Sequence, residues 1–261
     1  YMKLDYTLNE HYFDIIDCDE KAYWLGFLFA DGATTNTSNM IYFGQTKDRV
    51  DTVMAFKNAI SLTKEINIRI PKIGSTYYFC EFCSKIMADK LKELGCIPQK
   101  SLLSRFNLSI VPEKYMNAFI RGYFDGDGCI WEGKRKIMLV KDKERKSGER
   151  ERIVHNVKFT ITGNYEFINE LQNYLCKQLG FKKTKLNFSK AKTKKHICTM
   201  EYSGRKQIQS FFDYIYKDAT VYEKSKRKKF ENIICAFTEK SVIETALTEG
   251  TPEMATVNQA A

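Results

Sequence analysis

The stretch Trp24-Leu25-Gly26-Phe27-Leu28-Phe29-Ala30-Asp31-Gly32 is answered in the second half of the chain by Ile120-Arg121-Gly122-Tyr123-Phe124-Asp125-Gly126-Asp127-Gly128. In each, a glycine is followed four positions later by a small residue and then at once by Asp-Gly. Read as helices, the two segments stack Gly26 with Ala30 and Gly122 with Gly126, because residues four apart are neighbours on one face. Small residues in such a row let backbones approach closely, so the two helices are expected to pack on each other through Gly26, Ala30, Gly122 and Gly126. The first copy is apolar on nearly every side, which calls for burial all round. Each helix then ends in an aspartate, Asp31 or Asp127, where the partial negative charge of a helix C-terminus disfavours a carboxylate. A positive group is needed there, and a metal ion would serve.

From each motif the chain runs through one order of elements. After the first come a strand at Met40–Phe43, a helical pattern of Val50, Val53, Phe56 and Ile60, and a hairpin of Ile66–Ile70 with Tyr77–Cys80 turning at Ile73–Thr76. A helix from Ser84 to Leu94 then stops at Gly95. The second half repeats this from Tyr115, with strands near Ile137–Val140 and Ile153–Thr162, a helix at Tyr165–Leu179, a hairpin of Lys185–Ser189 with His196–Tyr202, and a helix at Lys206–Tyr216. The predicted class is α/β of the α+β kind, built from two pseudo-symmetric αββαββα repeats, residues 1–113 and 114–238. The polar run Lys141–Arg152 reads as a solvated hairpin tip. The acidic residues 239–261 read as a loosely held helix or a disordered tail.

Composition narrows the function classes. The 261 residues carry 42 Lys and Arg against 32 Asp and Glu, a net charge of +10. Four glutamates against one lysine follow Thr238, which leaves +13 on the rest. An excess of this sign points to a polyanion, and a phosphate backbone is the usual one. No window approaches the roughly 18 to 20 apolar residues that span a bilayer, and the start lacks a secretory pattern, so a soluble intracellular protein is expected. The eight cysteines are scattered through apolar stretches and read as reduced thiols. Cys80-x-x-Cys83 is the one pair at zinc spacing, but an offset of three in a strand turns its side chains to opposite faces. His11, His155 and His196 lack metal-ligand spacing, and no Gly-rich phosphate loop is present, so nothing suggests ATP or a nucleophilic triad.

The paired motifs resemble those of the LAGLIDADG homing endonucleases, in the single-chain form that carries two copies. The resemblance implies two motif helices side by side whose last acidic residues, here Asp31 and Asp127, bind divalent metal at the centre of a DNA duplex. It implies two saddle-shaped antiparallel sheets along the major groove, a monomer, and a site-specific double-strand cut with staggered 3′ overhangs that promotes copying of the enzyme's own gene. The first copy departs from the family pattern in having Phe29 where an acidic residue is common, whereas the second has Asp125; the metal-binding position is kept in both. The family places a basic residue beside the metal. Gln99-Lys100-Ser101 with Phe106 and Glu223-Lys224-Ser225 with Phe230 repeat one spacing, which makes Lys100 and Lys224 the candidates, with Lys226 a close alternative to the latter. Gln45 resembles the polar position that orients metal-bound water, although its counterpart near Thr162 or Gly163 is not Gln.

Two carboxylates offer oxygen ligands only, which suits a hard cation that keeps several waters: Mg²⁺, with Mn²⁺ able to replace it. The outward faces of half-buried sheets are free to meet a ligand. Tyr42, Arg69, Lys72, Tyr77, Lys136, Lys158, Thr160, Lys185, Asn187 and Lys194 are side chains of the kind that contact phosphates and base edges. Double-stranded DNA is therefore the expected partner. Two rival readings use the same fold: a maturase that binds intron RNA, and a DNA-binding regulator that does not cut. Retention of both Asp31 and Asp127 favours the nuclease, since binding alone does not require carboxylates facing phosphate.

Overall fold

Helix α1, Asp19–Asp31, opens with Asp19 and Glu20 in its first turn, where acidic side chains suit the positive end of a helix. It closes at Gly32, whose amide donates to the Leu28 carbonyl. The computed structural model describes residues 5–35, 38–96, 108–138, 151–191 and 196–249, without the side chains of 134–138, 151–155 and 237–249. After α1 come β1 (Ala33–Thr34), β2 (Met40–Thr46), α2 (Val50–Ala59), β3 (Asn67–Arg69), β4 (Tyr77–Cys83) and α3 (Lys85–Glu93). The second half supplies α4 (Met116–Asp127), β5 (Gly128–Met138), β6 (Glu151–Asn164), α5 (Tyr165–Leu179), β7 (Asn187–Phe188), β8 (Ile197–Tyr202), α6 (Arg205–Tyr216) and α7 (Lys224–Glu249). The two sheets have one topology, β1-β2-β4-β3 and β5-β6-β8-β7, antiparallel throughout. The αββαββα order expected from the sequence is thus present twice.

Local chemistry sets several of these boundaries. Ser84 caps α3 by accepting the Met87 amide at 3.1 Å, and Gly95 leaves it at φ +89°. Asn164 accepts the Glu166 amide at the start of α5, which ends at Gly180 in the left-handed conformation. One expectation fails. The first strand of the second half begins at Gly128, directly after the motif, and pairs without a break from Gly128 opposite Ile161 to Met138 opposite Glu151. Alternation carries its first residues, with Ile130 buried between exposed Cys129 and Trp131. The polar segment expected at the hairpin tip lies, from 139 to 150, outside the described residues. Helix α7 runs through Thr238 and continues to Glu249, into the segment read as a tail.

The motif helices α1 and α4 pack at the centre, and their glycines explain how closely. A Cβ on Gly26 would sit 2.0 Å from the Phe119 carbonyl oxygen, and one on Gly122 would sit 1.9 Å from that of Tyr23. Each glycine lets the partner backbone occupy the space of a side chain. The outer faces of the helices build two aromatic cores. In the first half Trp24 and Phe27 pack with Phe43 and Phe56, and in the second Phe124 packs with Phe211 and Phe230. Phe29, the departure in the first motif, packs across the junction against Phe119, Tyr123 and Phe167. Among the described residues no helix is long and apolar enough to cross a membrane. All eight cysteines are free thiols, and Cys80 and Cys83 lie on opposite faces of β4.

Candidate functional site

The close helix contact brings the two motif ends together. A Cβ on Gly126 would lie 2.4 Å from the Ala30 Cβ and 3.5 Å from an Asp31 carboxylate oxygen, so Asp31 sits against the residue that precedes Asp127. Asp31 is half-buried and Asp127 exposed. Gln45 is buried at the end of β2 and donates from Nε2 to Asp31 Oδ2 at 2.9 Å, so the sheet of the first half fixes the orientation of that carboxylate. Strand register identifies the counterpart of Gln45. Gln45 pairs with Tyr78 and Tyr78 with Ile68; Gly163 pairs with Cys198 and Cys198 with Phe188. Gly163 therefore takes the equivalent place in the second half, and the Tyr123 hydroxyl fills the space a side chain would need, 2.5 Å from a Cβ there. Tyr123 donates to the Thr162 carbonyl at 2.8 Å. Burial, then the nearby charges of Asp127 and Asp31, hold its hydroxyl well above the ordinary range.

The positive charge that the helix ends demand is a lysine in the second half. Lys226 Nζ lies 2.8, 2.7, 3.3 and 2.7 Å from the carbonyl oxygens of Phe124, Asp125, Gly126 and Gly128. An ammonium has three protons to donate to these four acceptors, which include the last carbonyls of α4. Burial pulls the Lys226 ammonium down to about 8, against the pull of Asp125, Asp31 and Glu223. Lys224 is placed elsewhere: its side chain is 77% exposed and pairs with Asp51 at 3.0 Å. Positions two apart on a helix point about 200° apart, and Phe230, four residues after Lys226, is fully buried. Lys226 thus shares the inward face with Phe230, and Lys224 cannot. Lys100 lies outside the described residues.

Two further groups reach the site that sequence reasoning missed. Arg49, between β2 and α2, crosses from the first half to donate to the Asp125 carbonyl at 2.7 Å, with its guanidinium 5.9 Å above the Phe27 ring. Its Nε lies 3.5 Å from a carboxylate oxygen of Glu223. Glu223 is buried and caps α7, accepting the Ser225 amide at 3.0 Å and the Lys226 amide at 2.8 Å. Asp125 is fully buried. It accepts the Tyr23 hydroxyl at 3.0 Å, the Glu223 amide at 2.8 Å and the Tyr216 hydroxyl at 2.5 Å. Burial pushes its carboxyl up, although each of these donors and Lys226 favours the charged form. Nothing local marked the arginine or the partners of Asp125: Arg49 stands in a short turn after β2 and its polar contacts lie in the other half. A cleft of about 170 Å³ opens beside the end of α4, with Arg49, Gly128, Lys226 and Lys229 in its lining.

The outward faces of the sheets hold several expected contact residues. With Ile41, Phe43, Cys80 and Phe82 buried inward, Tyr42, Tyr77 and Arg69 share the other face of the first sheet. The Tyr42 and Tyr77 rings lie parallel at 6.4 Å, and Tyr77 donates to the Gly44 carbonyl at 2.7 Å. In the second sheet Lys158, Thr160 and Asn187 lie together, aligned through the pairs of Thr160 with Glu201 and Thr199 with both Thr162 and Asn187. Lys158 is engaged internally, 2.7 Å from a Glu201 carboxylate oxygen and 5.6 Å above the Trp131 ring. Lys72 and Lys185 are exposed in loops rather than on strands. Lys136 lies in β5 opposite Ile153 with its side chain outside the described part, and Lys194 falls outside the described residues.

Two packed motif helices with aspartates at their ends, flanked by two four-stranded antiparallel sheets, define a LAGLIDADG-type architecture. A model of the LAGLIDADG-like domain matches residues 114–216. The structure resembles the homing endonuclease I-LtrWI bound to target DNA, with a TM-score of 0.52 at 14% identity over 92% of this chain and 96% of that one. It resembles I-GzeII in complex with its DNA target, with a TM-score of 0.53 at 12% identity over 84% and 91% of the two chains. The meganuclease I-AabMI bound to uncleaved DNA gives 0.51 at 13% identity over 84% and 92%. No curated protein sequence matches. The second half thus carries a LAGLIDADG-like domain, and the chain as a whole has the fold of the LAGLIDADG meganucleases.

Proposed function

We propose that this protein is a site-specific, metal-dependent DNA endonuclease of the homing type, working as a single chain. The observation that carries the proposal is the contact through Gly26 and Gly122, which sets Asp31 of one half against Gly126, next to Asp127 of the other. The fold shared with proteins solved on DNA and the net charge of +10 support the same reading. Asp31 and Asp127 fit a hard divalent cation: both are oxygen donors, and they come from opposite halves to one place. No cluster of three or more His, Cys, Asp or Glu occurs among the described residues, so water and phosphate oxygens would complete the ligand set. Mg²⁺ bound there, or Mn²⁺ in its stead, supplies charge neutralisation at the phosphate and an activated water.

The protein's own groups do the rest. Gln45 holds Asp31 in one orientation. Lys226 and Arg49 bring positive charge to the end of α4, where the adjoining basic cleft accommodates a phosphate of the backbone. Lys100 remains the candidate for that part in the first half. Tyr42, Tyr77 and Arg69 on one sheet and Thr160 and Asn187 on the other face the groove, with Lys72 and Lys185 reaching from loops and Lys158, Lys136 and Lys194 as further contacts. One carboxylate per half serves one strand each, and the product is a double-strand break with staggered 3′ ends.

The test is incubation of a randomised duplex library with the protein and Mg²⁺, followed by sequencing of the ends. Recurrent staggered cuts at one sequence are expected. Selective binding without cuts would make the protein a regulator, and binding of intron RNA but no duplex would make it a maturase.

A further inference from the structure

Asp125 has no counterpart in the first motif, where Phe29 stands, yet its carboxylate is the meeting point of four segments. Its three donors come from different elements: Tyr23 from α1 of the first half, Tyr216 from the last turn of α6, and the backbone amide of Glu223 at the start of α7. Its own carbonyl accepts from Lys226 and from Arg49. A buried carboxylate met by three oriented donors is held in one position, and it holds the donors in return, because a donor that loses it is left buried and unpaired. The amide of Glu223 matters most. Glu223 caps α7 through the amides of Ser225 and Lys226, so fixing it fixes the first turn of that helix, from which Lys226 reaches the α4 end. Arg121, one turn before Asp125 on α4, ties the same connection by donating to the carbonyls of Ile215 and Val221 at 2.7 and 2.8 Å.

We propose that Asp125 is a positioning residue: its carboxylate clamps the start of α7 between the two motif helices and so places the Lys226 ammonium on the end of α4, beside Asp127. The asymmetry of the motifs then has a purpose. The first half orients its carboxylate from the sheet, through Gln45, whereas the second sets its basic group from below, through Asp125. Asn in place of Asp keeps the shape but loses the charge and one acceptor: with its Oδ1 toward Tyr23 and the Glu223 amide, its NH₂ faces the Tyr216 hydroxyl, which must turn from donor to acceptor, and the clamp on the start of α7 is weakened. Lys226 is then released from its carbonyls.

The inference rests on the nuclease reading for its catalytic consequence, so its test has two arms. In the first, single-turnover cleavage of the selected site is measured for Asp125→Asn, Lys226→Met and the double variant, with DNA affinity measured in parallel. Asp125→Asn should slow cleavage by about 10- to 100-fold, the usual cost of losing an outer support of such a site, with affinity nearly unchanged. In the Lys226→Met background the same change should add almost nothing. Full additivity of the two losses would overturn the proposal. In the second arm, amine labelling read by mass spectrometry compares Lys226 with exposed Lys224 in the free protein. Lys226 should be protected in the wild type and labelled in Asp125→Asn, and unchanged protection would overturn the proposal even if no DNA were ever cut. Tyr216→Phe, which removes a single donor, gives the same two readings in milder form should the asparagine variant fail to fold.

Discussion

Replacing Gly122 with alanine adds one methyl group where the backbones of α1 and α4 meet. The new Cβ would lie 1.9 Å from the Tyr23 carbonyl oxygen, 2.8 Å from the Phe27 nitrogen and 2.9 Å from the Tyr23 carbonyl carbon. All three are backbone atoms of α1, so no side chain can swing aside. To reach the 3.0 Å below which real Cβ contacts are essentially unknown, α1 and α4 must part by about 1.1 Å. Overpacking of a core costs about 1–3 kcal/mol, and a contact that only backbone can relieve belongs at the upper end. For a chain of this size about 3 kcal/mol corresponds to a fall in Tm of roughly 6 to 12 °C. The same separation carries Asp31 away from Gly126 and Asp127, and a misplacement of about 1 Å can cost on the order of 100-fold in rate. Thermal unfolding and single-turnover cleavage measure the two effects. Gly180→Ala is the control: its φ of +65° carries backbone strain, but a Cβ there meets nothing within 4 Å, so it should cost about 1–2 kcal/mol and leave cleavage unaffected. If Gly122→Ala melts and cuts like the wild type, the helices are not in contact through these glycines.

Arg69→Ala should weaken binding to the selected DNA site and make its dependence on salt shallower, by about 0.9 in the logarithmic slope for one phosphate that is no longer neutralised; an unchanged slope would remove Arg69 from the interface. Phe159, stacked on Phe211 at 4.1 Å in the core of the second half, should cost about 3–5 kcal/mol when cut to alanine, read by denaturant unfolding. Burial pushes the Cys80 thiol up to about 12 and that of Cys198 up to about 11, so both should resist a thiol reagent at pH 8. Exposed Cys129 and Cys235 should react at once; rapid modification of Cys80 in the native protein would contradict the packing of the first sheet.

What could be read from the sequence was whatever short-range pattern decides. The glycines of the two motifs show their packing face within a single turn, so the central helix pair and the two aspartates follow directly from Gly26, Ala30, Gly122 and Gly126. Ser84 and Gly95 bracket α3 because a capping hydroxyl and a left-handed glycine act locally. Groups held by distant partners were another matter. The choice between Lys224 and Lys226 depends on which side of α7 is buried, and only the packing of Phe230 against Phe124 and Phe212 decides it, although the four-residue step from Lys226 to Phe230 was there to be read. Asp125 read as a missing symmetry rather than a hub, since Tyr23, Tyr216 and Glu223 lie about 100 residues away along the chain in either direction. The start of β5 was missed because Gly128 and Gly133 interrupt its pattern, and its pairing with β6 provides what the local signal lacks.

The central claim is that Asp31 and Asp127, one from each half, form a single nuclease centre. It is tested most directly on a supercoiled plasmid carrying the selected site, with Mg²⁺, comparing the wild type with Asp31→Asn and Asp127→Asn. The wild type should yield linear DNA, and each single variant should lose linearisation while still binding the site. Linear product at the wild-type rate from both single variants would place the chemistry elsewhere in the molecule.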